Sequence, residues 1–130
     1  MPYEMTWEGR GVYKCFRGFV SAEEYGETMR AVLDDARVDG IRYVINDFLA
    51  VDAYQITAEQ AEYLAAYNRG PSFANPNIHI AYVTTDAPII AMVRRIAELS
   101  SFETRTFPSL AEARAWLDDK TGARPRPRVI

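Results

Sequence analysis

The sequence predicts a single α/β domain in which a mixed five-stranded sheet carries four helices. Apolar, β-branched segments alternate along the chain with amphipathic segments of helical period, which is typical of α/β proteins. Ser/Thr-x-x-Glu/Gln capping boxes mark several helix starts. Two short strands with a turn between them come first. The chain has 130 residues, 48% of them hydrophobic, which is enough for one core without disulfides.

The predicted first strands span residues 3–7 and 12–16. Tyr3, Met5 and Trp7 alternate with polar residues, the period of a half-buried strand. The turn Glu8-Gly9-Arg10-Gly11 is short enough to join antiparallel strands but not parallel ones. We therefore expect a β-hairpin that adds an antiparallel strand to an otherwise parallel sheet.

The first helix is predicted to start at the capping box Ser21-Ala22-Glu23-Glu24. Gly40 is predicted to end it in the left-handed conformation that helix C-termini favour. Residues 41–45 follow as an apolar strand. Because this strand shows little alternation, we expect it to be covered on both faces.

The second half of the chain repeats this alternation. Thr57-Ala58-Glu59-Gln60 caps a helix that Asn68-Arg69-Gly70-Pro71 is expected to stop. The later elements are a strand at 78–83, a helix from Asp86 to about residue 100, a strand at 102–107 and a helix capped by Ser109. The order predicts right-handed crossovers and parallel strands.

We divide the chain into a domain of residues 1–120 and a flexible, basic Pro/Arg tail of residues 121–130. Alternate prolines in this tail prevent a helix or a central strand.

Composition limits the function. A net charge of −3 gives no general attraction to nucleic acid. No apolar run is long enough to span a membrane, and the first residues do not resemble a signal peptide. The single cysteine, Cys15, fits a reducing compartment, so we expect a cytoplasmic protein.

Motifs of nucleotide and serine-hydrolase enzymes are absent from the sequence. We accordingly predict no cofactor, no metal site and no catalytic residue. His79 lies within a strand and has no metal ligands near it in sequence, so a packed histidine is favoured over a catalytic one. A nucleophilic pair of Cys15 and His79 would require the fold to bring them together.

The segment 47–57 is predicted to be a loop at the carboxyl end of the third strand, where open α/β sheets bind ligands. Asp47, Asp52 and Tyr54 are its candidate contact residues. Thr57 is first a helix cap. Aromatic residues around this loop are candidates for a pocket rim because their bodies are apolar; they are Phe48, Tyr54, Tyr63, Tyr67 and Phe73.

The strand "YVIND", the following "FLAVDAYQIT" and the ending "FPSLAEARAWL" resemble the SpoIIAA-like group of the STAS (sulfate transporter and anti-sigma factor antagonist) superfamily, over residues 3–119. In that resemblance Asp47 matches a strand-end aspartate. Gln55-Ile56-Thr57 stands where anti-sigma factor antagonists carry Asp-Ser-Ser. The phosphorylation motif is therefore degenerate, with Thr57 keeping a hydroxyl at the phosphoacceptor position.

The resemblance implies a stand-alone, non-enzymatic regulatory or protein-interaction domain with an unidentified protein partner. The segment 47–57 and the following helix would form its contact surface. The alternative is a module that binds a small apolar or lipid-like ligand, as SEC14-type domains of similar architecture do. The third is an uncharacterised enzyme. The broad apolar face of helix 86–100 also suggests a homodimer.

Overall fold

The computed structural model describes residues 3–99 and 102–122, except for the side chains of residues 68–74. The strands are β1 (Tyr3–Trp7), β2 (Gly11–Ser21), β3 (Tyr43–Gln55), β4 (His79–Val83) and β5 (Glu103–Phe107). The helices are α1 (Ala22–Leu33), α2 (Ala58–Ala74), α3 (Ala87–Leu99) and α4 (Leu110–Thr121), and a short 3-10 helix spans Ala36–Gly40.

The strands lie in the sheet in the same order as in the chain, β1-β2-β3-β4-β5. β1 is antiparallel to β2, and the other three pairings are parallel. The predicted mixed five-stranded sheet with four helices is thus confirmed. Because successive right-handed crossovers step in one direction, α1, α2 and α3 come to the same face of the sheet.

The two largest apolar clusters of the described residues lie one on each face of the sheet. The larger core packs residues of β2, β3 and β4 against α1, α2 and α3; its members include Val12, Phe16, Val44, Phe48, Ile80, Met29, Leu64, Ile89 and Val93. The smaller core packs strand residues of the opposite face against α4; it contains Tyr43, Ile45, Ala81, Val83, Ala113, Trp116 and Leu117. The apolar residues predicted for the face of α3 thus pack within the fold.

The helices begin at the capping residues that the sequence predicts. The Oγ atoms of Ser21 and Ser109 accept hydrogen bonds from the backbone N–H groups of Glu24 and Glu112, at 3.1 and 3.2 Å. The carboxylate of Asp86 accepts from the N–H of Ile89 at 3.1 Å. Each bond satisfies a donor that the first helical turn leaves unpaired.

Strands β2 and β3 are longer than predicted, and the segment 47–57 is a strand for most of its length. β3 continues to Gln55 because β2 continues beside it to Ser21, with two register shifts near Arg17 and Gly18. Gly18 has a φ of +63°, a conformation that a side chain disfavours. The prediction of a loop was therefore wrong for residues 47–55, and Asp47 lies within β3.

Two predicted helix ends were also wrong. α2 continues through Gly70 and Pro71 to Ala74, so these local breakers do not stop it. α1 ends at Leu33, and Gly40 closes a separate 3-10 helix without a positive φ. Gly122, by contrast, ends α4 with a φ of +64°. From residue 123 onward, the predicted tail lies outside the described residues.

No helix within residues 3–99 and 102–122 is long and apolar enough to cross a membrane.

Candidate functional site

The far ends of β2 and β3 project beyond the rest of the sheet. β1 pairs with β2 only as far as Phe16, and β4 pairs with β3 only as far as Asp47. Beyond these points, residues 17–21 of β2 and 50–55 of β3 pair only with each other, and we call this two-stranded segment the arm. The arm lies at the carboxyl edge of the sheet, where α/β folds place their binding sites.

The arm and α2 carry the exposed large hydrophobic side chains of the described chain. Phe19 is 51% exposed, Leu49 at the base of the arm is 50% exposed, and Tyr63 on α2 is 62% exposed. Val20 and Phe48, the sequence neighbours of Phe19 and Leu49, are buried in the larger core. Because successive strand residues point to opposite faces, Phe19 and Leu49 face away from α1, α2 and α3.

An open groove of about 530 Å³ runs beside the arm. Residues 51–57 line it on one side, and Asp86 and Ile89 at the start of α3 line it on the other. Burial, together with the charge of Asp86, raises the pKa of Tyr54. The charged side chains of this groove are those of Asp52 and Asp86, so its electrostatic potential favours a cationic ligand.

Thr57 lies at the end of this groove and caps α2. Its Oγ1 accepts a hydrogen bond from the backbone N–H of Gln60 at 3.1 Å, and its own N–H donates to Oε1 of Gln60 at 2.9 Å. These reciprocal bonds form the capping box that the sequence predicts. Because the bonds are exposed, the Thr57 hydroxyl combines a structural role with access to solvent.

Asp47 is held by hydrogen bonds on the opposite face of the sheet from α1. Its carboxylate accepts from the Tyr13 hydroxyl at 2.6 Å and from the N–H of Leu49 at 3.0 Å. Asp47 is 8% exposed. Burial and the hydrogen bond to Asp47 raise the pKa of Tyr13. The role of Asp47 in this geometry is to fix the base of the arm.

A second polar cluster lies inside the larger core. Lys14 on β2 is 3% exposed, and its Nζ donates to Oγ1 of Thr28 on α1 at 3.1 Å. Desolvation lowers the pKa of Lys14 to about 7. Asn46 on β3 is paired in register with Lys14, and its Oδ1 has no hydrogen-bond partner among the described residues. Polar groups without partners are costly to bury, so this cluster stands out from the apolar core around it.

A cavity of about 30 Å³ lies between Lys14, Asn46 and the apolar side chains of α1. This volume suits one or two water molecules. The hydroxyls of Tyr25 and Tyr82 are hydrogen-bonded to each other in the same core, and burial raises the pKa of Tyr82 to about 12.

Sequence reasoning missed this cluster. The alternation of side chains along a strand could have revealed it. Lys14 is two residues from the apolar Val12 and Phe16, and Asn46 is two residues from Val44 and Phe48, so both polar side chains point to the same face as these apolar ones.

Of the aromatic residues predicted to rim one pocket, those whose side chains the structure describes lie in different places. Phe48 is buried at 2% exposure, whereas Tyr54 lines the groove beside the arm. Tyr63 lines a different groove between α1 and α2. The hydroxyl of Tyr67 donates to Asp34 at 3.1 Å. Phe73 belongs to α2, but its side chain lies outside the part of the chain that the structure describes.

His79 and Cys15 are separated by the fold. Cys15 stands level with Asp47 on β3, whereas His79 stands level with Tyr43, and β3 lies between them. Strand spacings put the two about 15 Å apart. His79 contacts Glu103 at 3.2 Å and stacks edge-on against Trp116. Among the described residues, no group of three or more His, Cys, Asp or Glu side chains is placed to hold a metal ion.

The chain was compared with protein-family models, curated proteins and solved structures. No protein-family model and no curated protein matches the chain. An uncharacterised Shewanella loihica protein of the DUF3478 family, with a SpoIIAA-like fold, is 16% identical, with a TM-score of 0.57 over 88% of this chain and 91% of that chain. The anti-sigma factor antagonist SpoIIAA in its unphosphorylated form is 10% identical, with a TM-score of 0.58 over 94% of this chain and 99% of that chain. The protein therefore has a SpoIIAA-like fold.

Proposed function

We propose that this chain is a non-enzymatic regulatory domain of the cytoplasm that acts by binding another protein, as its similarity to an anti-sigma factor antagonist suggests. Its contact surface comprises the arm, Leu49 at its base and α2. This proposal carries forward the expectation for residues 47–57, now as a strand instead of a loop.

One observation carries the proposal. The exposed large hydrophobic residues of the described chain lie around this end of the fold: Phe19 and Leu49 on one face of the arm, and Tyr63 on α2 at the other face. Aromatic side chains are enriched at protein interfaces, and tyrosine is among the residues that most often anchor them. Asp52 on β3 adds a charged position of the kind found at interface rims.

The test uses a surface variant with a matched control. Phe19→Ser, Leu49→Ser and Tyr63→Ser are combined in one variant, and Arg94→Ser with Asp119→Ser forms the control, because both of these residues are exposed on α3 and α4. Each protein is immobilised in a native cell extract, and retained proteins are quantified by mass spectrometry. Any candidate is then purified, and its dissociation constant is measured by calorimetry.

We expect a purified partner that binds wild type and control equally and the triple variant at least about tenfold more weakly, as expected for the loss of interface anchors. Circular dichroism and thermal unfolding establish that the triple variant is folded. Equal affinity of the partner for all three proteins would overturn the proposal, as would the absence of any partner that binds the wild type directly.

The role of Thr57 as a phosphoacceptor stays a prediction. A phosphate at a helix N-terminus is electrostatically favourable, and it would add negative charge beside Asp52 and Asp86. If Thr57 is a switch, Thr57→Glu and Thr57→Ala differ in their affinity for the partner while both remain folded. Equal affinities would remove the switch and leave the protein-binding proposal intact.

A further inference from the structure

One edge of β3 is unpaired along the arm. β4 pairs with one edge of β3 from Tyr43 to Asp47, and β4 then ends at Val83. β3 continues to Gln55, and no strand of the described chain pairs with residues 48–55 on that side. Free backbone N–H and C=O groups on a strand edge form a template for a further strand.

The groove of about 530 Å³ occupies the place where β4 would continue. Consecutive β3 residues line it, including the partly buried Val51 and Tyr54 and the exposed Asp52 and Ala53. A groove against one face of a strand would be lined by every second residue. The groove therefore runs along the edge of β3, between the arm and the start of α3.

From this geometry we propose that the groove binds an extended peptide segment of a protein partner, which adds as a strand to the free edge of β3. Backbone hydrogen bonds to residues 48–55 would supply the affinity, as in other cases of strand addition. The inference rests on the proposed protein-binding function and specifies how part of the contact surface recognises its partner.

The charges of the groove determine the chemistry of this peptide. Asp52 and Asp86 are its charged lining residues, and both are exposed. Opposite charges on neighbouring strands stabilise their pairing. The peptide therefore carries Lys or Arg side chains, alternating with apolar residues that pack against Val51 and Ile89.

The probe is the synthetic peptide acetyl-Lys-Val-Arg-Val-Lys-Val-amide. A second peptide replaces Lys and Arg with Glu, and a third is N-methylated at every residue so that neither of its edges can donate to a strand ladder. Among residues 48–55, hydrogen exchange of the amides that bond neither β2 nor Asp47 is followed by NMR as each peptide is added. We expect the basic peptide to slow this exchange about tenfold or more, because new ladder bonds protect amides. The other two peptides should have little effect.

Substitutions in the protein test whether the negative charge of the groove contributes to peptide affinity. Asp52→Asn with Asp86→Asn should weaken the basic peptide about fivefold or more, and asparagine still caps α3. Arg94→Ser with Asp119→Ser should leave peptide affinity unchanged, since both residues are exposed and neither lines the groove. Equal binding of the N-methylated or acidic peptide, or no protection at millimolar basic peptide, would overturn strand addition.

The chain's own basic end is a competing occupant. Removing residues 123–130 should leave the exchange of residues 48–55 unchanged in the free protein. Faster exchange after the removal would assign the groove to that segment and overturn the proposal. The two proposals also fail separately: a partner that depends on Phe19, Leu49 and Tyr63 can exist without peptide binding, and peptide binding can exist without that partner.

Discussion

Lys14 and Asn46 lie side by side on neighbouring parallel strands, and both side chains are buried under α1. None of the ion pairs formed by the described residues involves Lys14, and its Nζ is bonded to Thr28. An amine in such a place favours its neutral form, because the core does not solvate the charge.

This burial predicts a pH dependence of stability. The pKa of Lys14 falls from 10.5 to about 7 on folding. Between these values the unfolded chain binds a proton that the folded chain does not, so the contribution of Lys14 to the free energy of unfolding rises with pH, by up to about 1.4 kcal/mol per unit. Below pH 7 both states are protonated, and this dependence disappears.

Lys14→Met should remove the dependence. We expect the variant to be more stable than the wild type by about 1–4 kcal/mol at pH 7, the range seen when buried charges become apolar. The gain should shrink towards pH 9. The control is Lys120→Met, which changes the other lysine, on the exposed end of α4. Urea denaturation at several pH values measures both; a constant gain for Lys14→Met would contradict the prediction.

A second pH dependence of stability is expected at Glu8, in the turn between β1 and β2. Arg114 donates to both carboxylate oxygens of Glu8, at 3.1 and 2.9 Å, and the Tyr43 hydroxyl donates at 2.7 Å. Burial raises the pKa of Glu8, but the hydrogen bonds from Arg114 and Tyr43 outweigh it, so the pKa lies below 4.5. The stabilisation is therefore present above pH 4.5 and is lost as the pH falls through the lower, folded value.

Glu8→Gln should cost about 1 kcal/mol at pH 7 and should flatten the acid limb of the stability curve. Glu4→Gln is the matched control, because the Glu4–Arg17 pair is exposed on both sides and lies in the same hairpin. Chemical denaturation between pH 3 and 7 compares the two. Equal losses for both variants would show that the bidentate geometry has no special effect.

Gly11 is required by the ring of Tyr43. A Cβ atom at position 11 would overlap that ring, which is held between the smaller core and Glu8. We expect Gly11→Ala to cost about 1–3 kcal/mol through overpacking. Gly40→Ala is the control, since a Cβ atom added at Gly40 would meet nothing within 4 Å. In a double-mutant cycle, Tyr43→Ala should reduce the cost of Gly11→Ala; additive losses would contradict the contact.

Thr57 should matter for stability whether or not it is modified. Thr57→Ala removes the acceptor for the Gln60 N–H and should cost about 1 kcal/mol, whereas Thr57→Ser keeps the oxygen and should be nearly neutral. Thermal unfolding of the unmodified proteins measures this. If alanine and serine are equally tolerated, the capping bond contributes nothing measurable.

Local signals in the sequence predicted much of this fold. Capping depends on residues three positions apart, so Ser21, Thr57 and Ser109 were sufficient to predict where α1, α2 and α4 begin. The lengths of β2 and β3 depend on their pairing with each other, which no local pattern records. Ala50–Gln55 therefore resembled a loop although these residues form the arm. Gly70 and Pro71 likewise predicted that α2 would end before them, but the helix continues through both residues to Ala74.

A functional role for the predicted site residues stays a prediction. Residues 51–57 do line a groove at the carboxyl edge of the sheet. The polar pair Lys14 and Asn46 was overlooked because a single buried lysine in a short strand has no motif. The exposure of Phe19 depends on where β1 ends, which is a tertiary property.

The position of α4 has a consequence for synthesis of the protein. Ala113, Trp116 and Leu117 of α4 cover the apolar residues Tyr43, Ile45, Ala81 and Val83, and the ribosome adds them after all five strands. Until those residues emerge, a nascent chain with a finished sheet presents this face to water. We therefore expect a chain truncated before residue 110 and released from the ribosome to aggregate or to bind chaperones through that face, even though it contains all five strands.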